Sequence, residues 1–223
     1  MAIIKDFGVV LREYDAGESN KKLVVLTRGH GKMTVFARGA RKTGSKLSAG
    51  LFSYNEFVIY DGNGFYSLSA VVPIHMFADI ADNYDKFCFA CCFLEMADKM
   101  VLTGMDTRDI LQILLRALAE LTRDRHVPAT VFAVFAIKLL KSEGFAPLIN
   151  GDGAETGTNQ PLRLSPEAAQ ALTYIMEANP KEMFAFKTSD DVAEQLYRAA
   201  RLFVAENVDI KLKSLEMIGD CRK

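Results

Sequence analysis

Residues 7–73 alternate short strand-like runs with turn residues, and this pattern restricts what the front of the chain can fold into. The runs are Phe7–Glu13, Lys21–Arg28, Lys32–Arg41, Leu51–Tyr60 and Phe65–Val72. A loop, Tyr14–Glu18, follows the first run, and Gly29-His30-Gly31 makes a tight connection after the second. Glycine supplies the positive φ that such connections need. Asp61-Gly62-Asn63-Gly64 turns the chain into the fifth run, which Pro73 is expected to end. Five strands in so short a span fit a small barrel of the OB type, and closure removes the exposed edges of a lone sheet.

Beyond residue 76 the pattern changes to helices. Asp82–Val101 is apolar almost all round, the mark of a buried helix. Asp106–Thr122 follows with Asp106 placed as its cap, and Pro128–Glu143 is stopped by Gly144. Ser165-Pro166-Glu167 opens a further helix in the order cap, proline, acid, and Ser189-Asp190-Asp191 opens one reaching about Val208. The glycine-rich, polar stretch 146–163 reads as an irregular loop. The expected fold class is therefore α+β. An N-terminal five-stranded OB-type β-barrel over 1–76 is followed by an all-helical C-terminal domain over 77–223.

Charge divides along the same line. Residues 1–76 carry a net charge of +4 and residues 77–223 a net of −5. From Ser19 to Asn55 there is no acidic residue, while Lys21, Lys22, Arg28, Lys32, Arg38, Arg41, Lys42 and Lys46 all fall there. A field of one sign attracts a polyanion and speeds its encounter. In the third run, side-chain alternation sends Met33, Val35 and Ala37 inward and Lys32, Thr34, Phe36 and Arg38 outward. Cations with an interleaved aromatic are what single-strand binders use, for phosphates and for stacked bases. Phe36 has two readings, a base-stacking face or packing against a helix. Gly39–Gly50 carries Arg41, Lys42 and Lys46 among small residues and can drape over a phosphate backbone. The candidate DNA-binding residues are Lys21, Lys22, Arg28, Lys32, Phe36, Arg38, Arg41, Lys42 and Lys46.

Other chemistries find little support. A phosphate-binding loop needs Gly-Lys followed by Ser or Thr, but Gly44 is followed by Ser45 and Lys46, on a strand-to-strand connection. Cys88, Cys91 and Cys92 crowd one apolar helix, where cysteine behaves as a small hydrophobe, and Cys221 is the only other. His30, His75 and His126 form no metal-binding pair, and no nucleophile has an elbow around it. No catalytic residue, metal or cofactor is expected, and the chain reads as a non-enzyme. No stretch approaches the roughly 20 apolar residues of a membrane span. A soluble, cytoplasmic protein is expected, associated with the nucleoid if DNA is its ligand.

The residues also resemble a known family. Gly8-Val9-Val10-Leu11, Gly17-Glu18-Ser19 and Leu26-Thr27-Arg28-Gly29-His30-Gly31-Lys32 fall in the order seen in RecO, the bacterial recombination mediators. So do Ala37-Arg38-Gly39-Ala40-Arg41-Lys42, Gly144-Phe145-Ala146-Pro147 and Leu164-Ser165-Pro166-Glu167-Ala168. The resemblance implies an N-terminal OB domain and a helical C-terminal domain. It implies binding of single- and double-stranded DNA without sequence preference, and annealing of complementary strands. It further implies a complex with RecR that helps RecA displace single-strand-binding protein. In some bacteria the helical domain of such proteins holds the acidic, phenylalanine-ended tail of that protein. Many members carry a four-cysteine zinc site after the Gly-Phe-Ala-Pro stretch. Here Leu148–Leu162 has neither cysteine nor histidine, so zinc is not carried over. The alternative is a protein adaptor whose basic barrel binds an acidic protein partner.

Overall fold

The computed structural model describes residues 2–45, 47, 49–145, 147–150, 153–155, 162–207 and 212–220. Its contacts divide into two compact units. One comprises Met1–Asp82 and Leu94–Leu111, the other Asn83–Phe93 and Gln112–Lys223.

The first unit is a five-stranded closed barrel of β1 (Ala2–Ala16), β2 (Asn20–Thr27), β3 (Gly31–Ala37), β4 (Ser53–Gly62) and β5 (Phe65–Met76). Around the barrel the order is β1-β2-β3-β5-β4. One long strand makes closure possible: β1 pairs with β4 over Ala2–Val9 and with β2 over Gly8–Ala16, with a register shift between Val10 and Arg12. A short parallel contact, Val35 to Tyr66 and Phe36 to Ser67, completes the ring. Val10, Leu23, Val35, Phe57 and Ile59 are buried in the barrel interior. Each contributes roughly 1.5–3 kcal/mol by leaving water.

The strand boundaries differ from expectation at two places. β3 stops at Ala37, because Gly39 takes a positive φ and turns the chain. β5 continues through Pro73 to Met76. β5 meets β3 only at Tyr66 and Ser67, so at Pro73 it is an edge strand, where a missing N–H is tolerated. A register shift between Tyr54 and Asn55, opposite Pro73, absorbs the irregularity.

The segment Leu94–Leu111 belongs with the barrel. It contains the end of α1 (Tyr84–Met100) and the start of α2 (Arg108–Arg123). Thr107 Oγ1 donates to the Thr27 carbonyl at 2.7 Å. A Cβ on Gly31 would lie 2.8 Å from the Met105 carbonyl oxygen, so only glycine allows this approach.

In the second unit α3 (Pro128–Ser142) is the central element, buried from Ala129 through Leu140. It packs on α4 (Pro166–Glu177) and α5 (Asp190–Asn207). Phe93 and Phe135 stack with centroids 4.5 Å apart, and Phe132 meets Tyr197 edge-on at 5.6 Å. Two of the expected caps are present: Ser165 Oγ accepts from the Ala168 N–H at 3.2 Å, and Ser189 Oγ from the Val192 N–H at 3.4 Å. Asp106, expected to cap α2, stands one residue too early: the helix starts at Arg108, the Leu111 N–H goes to the Thr107 carbonyl, and Asp106 Oδ1 accepts from the Arg108 N–H at 3.1 Å. Lys138 is nearly buried, and its Nζ donates to the Met176 and Ala178 carbonyls at the end of α4, where a cation suits the helix dipole. The connection expected to be irregular carries three short antiparallel strands, β6 (Leu148–Asn150), β7 (Gly153–Glu155) and β8 (Leu162–Arg163). A last helix, α6 (Lys213–Asp220), was not anticipated. Its sequence is short and opens with no capping pattern of the kind seen at Ser165.

Candidate nucleic-acid interface

The hairpin β2–β3 positions most of the candidate residues. Met33, Val35 and Ala37 are buried, while Thr34 and Arg38 are exposed and Lys32 and Phe36 half-buried, following the expected alternation. Lys22 is the cross-strand partner of Phe36, so both stand on the outer surface. Arg38 follows two residues after Phe36, at the start of the turn into Gly39. Lys42 folds back so that its Cδ lies 3.7 Å from where a Gly39 Cβ would be, beside Arg38 in the chain.

That turn is built, not loose. Gly39 N–H donates to Asn20 Oδ1 at 2.8 Å and Arg41 N–H to the Ser19 carbonyl at 3.0 Å. Ala40 and Ala49, from the Gly39–Gly50 segment expected to drape over a phosphate backbone, are buried in the barrel core. Lys46 lies outside the described residues.

The acid-free window is not acid-free in space. Lys21 pairs with Glu13 on the neighbouring strand. Arg41 pairs with Asp15 at 3.2 Å and donates to the Gly17 carbonyl at 3.3 Å. Lys32 donates to the Asp98 carbonyl and lies 3.7 Å from its carboxylate, which Arg12 also approaches at 3.3 Å. Among the described residues, Lys22, Arg28, Arg38 and Lys42 have no acid partner within ion-pair distance. The window is divided in a second way. Arg28 stands just past the end of β2, six residues from Lys22, about 20 Å at the usual rise per residue. Lys22, Arg38 and Lys42 therefore form one cluster, and Arg28 stands apart at the opposite end.

Arg28 borders a cavity of about 410 Å³ with His30, Asp106 and Arg108 in its wall. Asp6 secures this end. Its carboxylate accepts from the Phe7 N–H at 2.8 Å and the Gly29 N–H at 2.9 Å, and lies 2.7 Å from His30 Nδ1. Burial pushes the Asp6 carboxyl up, but His30, the two N–H groups and Thr27 outweigh it and hold it below the usual carboxylate range.

Sequence reasoning missed Phe65. Its ring lies 6.0 Å from Phe36, centroid to centroid, and it is 61% exposed. It opens β5 directly after the Gly62-Asn63-Gly64 turn, and only the register of β3 against β5 brings it beside Phe36. The acids Glu13, Asp15 and Asp98 were missed for the same reason: cross-strand register and tertiary packing place them, not spacing along the chain.

The helical unit holds a second feature, a cavity of about 750 Å³ whose wall includes Arg125, His126, Val127, Phe184, Phe186 and Lys187. Beneath it Glu120, 1% exposed, accepts from Arg125 Nε at 3.0 Å and lies 2.8 Å from His126 Nδ1. His126 Nε2 in turn lies 3.0 Å from the Phe186 carbonyl oxygen. Among the described residues no group of three or more His, Cys, Asp or Glu side chains is placed to hold a metal ion. Nor is any described helix long and apolar enough to cross a membrane.

Comparison with known proteins bears on both units. The family model described as "Recombination protein O N terminal" matches residues 1–77, and "Recombination protein O C terminal" matches residues 81–216. The DNA repair protein RecO of Acetivibrio thermocellus is 25% identical over 98% of this chain and 97% of its own length. That of Caldicellulosiruptor saccharolyticus is 34% identical over 66% of this chain and 61% of its own. That of Streptomyces coelicolor is 31% identical over 73% and 69%.

Proposed function

The chain belongs to the RecO family of recombination and DNA repair proteins, and we propose that it acts as a recombination mediator. On this reading it binds single- and double-stranded DNA without sequence preference and anneals complementary strands. With RecR it helps load RecA onto DNA covered by single-strand-binding protein. The observation that carries the reading is the exposed cluster Lys22, Arg38 and Lys42 beside Phe36, while Lys21, Lys32 and Arg41 of the same window are engaged by acids. Cations without internal partners are free to contact phosphates, and phosphate contacts hold any sequence equally.

The partner assignments draw on the family and on the helical unit. An acidic, phenylalanine-ended tail needs an apolar recess with cations at its edge. The cavity bounded by Val127, Phe184 and Phe186, with Arg125 and Lys187 beside them, supports that role. RecR, RecA and a place in the cytoplasm with the nucleoid follow from the same reading. No nucleotide is needed on this account. Strand pairing is downhill, and the Gly39–Gly50 segment lacks the Gly-Lys-Ser/Thr order that holds a triphosphate.

An annealing assay tests the whole reading. Complementary oligonucleotides mixed with the protein in chelator, without nucleotide, should anneal near the full rate. Strands coated with single-strand-binding protein should anneal also, and truncating the last residues of its tail should abolish that second reaction. Strict dependence on ATP would overturn the mediator reading. Indifference to tail truncation would remove the cavity from it.

A further inference from the structure

One row of outward side chains crosses four strands of the barrel. Lys22 on β2 faces Phe36 on β3, Phe36 faces Ser67 on β5, and Ser67 faces Tyr60 on β4. Strands lie about 4.8 Å apart, so successive members of the row are close neighbours. Phe65 joins the row from one side, its ring tilted 43° against Phe36 at 6.0 Å. Phe65 and Tyr60 are 61% and 42% exposed, although Phe65 is large enough to drive burial. Tyr14, next to Lys22 across β1, is 43% exposed as well, but the Arg12 guanidinium sits over its ring, 5.0 Å from the centroid.

We propose that Phe36 and Phe65 form a stacking step for the unpaired bases of single-stranded DNA, with Lys22 and Arg38, both beside Phe36, holding the phosphates. The step rests on the DNA-binding reading above and adds to it the residues that distinguish a single strand from a duplex. Two arguments select this occupant. Charge is complementary: the two cations beside Phe36 have no acid partner among the described residues, which suits a polyanion and not an apolar protein face. Geometry is complementary as well. Tilted rings on adjacent strands offer their faces to a flat ligand, and every base has such a face whatever its identity. A duplex keeps its bases stacked on one another and offers the step nothing. Phosphate contacts therefore serve both forms of DNA, and the aromatic step serves one.

The chain contains no tryptophan, so Phe65→Trp introduces a single indole at an exposed position. Its emission should be quenched by an oligothymidine strand. It should stay unchanged with an abasic strand of the same length, and with a duplex that labelled-DNA anisotropy shows to be bound. As a second measurement, Phe36→Ala with Phe65→Ala should weaken single-strand binding about tenfold or more, leaving duplex binding within about twofold. Unchanged indole emission on a bound single strand would overturn the proposal. So would equal quenching by the abasic strand, or equal weakening of both DNA forms. If the unaltered chain binds neither DNA, the DNA-binding reading itself falls, and the step with it. That outcome is distinct from a chain that binds DNA with the indole silent.

Discussion

Replacing Lys22, Arg38 and Lys42 together by alanine should weaken binding to any DNA roughly a hundredfold at about 0.1 M salt. Each lost phosphate contact removes about 0.7 to 0.9 from the log–log salt slope, which near 0.1 M salt amounts to about 1 kcal/mol. Three contacts give about 3 kcal/mol, and about 1.4 kcal/mol corresponds to a factor of ten. The comparison that gives this meaning removes cations already held by acids. Lys21→Gln with Glu13→Gln, and Arg41→Gln with Asp15→Asn, leave the net charge unchanged and dissolve two ion pairs. Those four substitutions together should keep affinity within about twofold of the original, because exposed or half-exposed pairs contribute little and the pairs present no net charge to DNA. Asp15→Asn alone should strengthen binding a fewfold by releasing Arg41. Equal losses in the triple and the charge-neutral variants, measured by anisotropy on folded protein, would show that Lys21 and Arg41 contact DNA despite their acid partners, and would contradict the assignment to the unpaired cations.

The largest loss of stability among charged residues is expected at Glu120. It is 1% exposed and takes hydrogen bonds from Arg125 and His126, with Arg123 at 3.9 Å. Removing one partner of a buried, hydrogen-bonded ion pair costs about 3–5 kcal/mol. Arg125 is 56% exposed and can be hydrated once freed, so Glu120→Ala should fall near the low end, about 3 kcal/mol. Burial by itself pushes the Glu120 carboxyl up, but the hydrogen bonds and charges of Arg125 and His126 outweigh it and hold the carboxyl below its ordinary value of 4.5. A depressed folded value has a definite consequence for pH. The contribution is fully present above about 4.5 and is lost as pH falls through the folded value. The unaltered protein should therefore lose stability between neutral pH and strong acid more steeply than Glu120→Gln. Denaturant melts at three pH values check this. Parallel pH dependence of the two proteins would contradict the assigned network.

The barrel was legible because its signal is local. Period-two alternation in Lys32–Arg38, glycine at the turns and five runs in some 70 residues leave little room for another fold, and the resemblance in Ala37–Lys42 pointed the same way. The helix caps were legible for the same reason, Ser165 and Ser189 being followed by the residues a first turn requires. Pairing across the barrel was not. Spacing along the chain sets Lys32 and Arg41 far from any acid and gives no sign that Lys21 meets Glu13, while the register of β1 against β2 and the end of α1 bring Glu13, Asp15 and Asp98 to them. Phe65 escaped notice because its neighbour Phe36 is about thirty residues away in sequence and one strand away in space. The short strands β6–β8 were hidden by glycine and polar residues, since two- and three-residue strands carry no periodicity to read.

The most direct test is a salt titration of the unaltered protein on two single strands of unrelated sequence. If unpaired cations hold the phosphates, log affinity should fall linearly with log salt, with the same slope on both strands. That slope should be at least about 2, the share of Lys22, Arg38 and Lys42 at about 0.7 each. The same slope should drop by about 2 in the triple alanine variant. A flat line, or slopes that differ with sequence, would contradict binding through phosphates and favour a barrel made for an acidic protein partner.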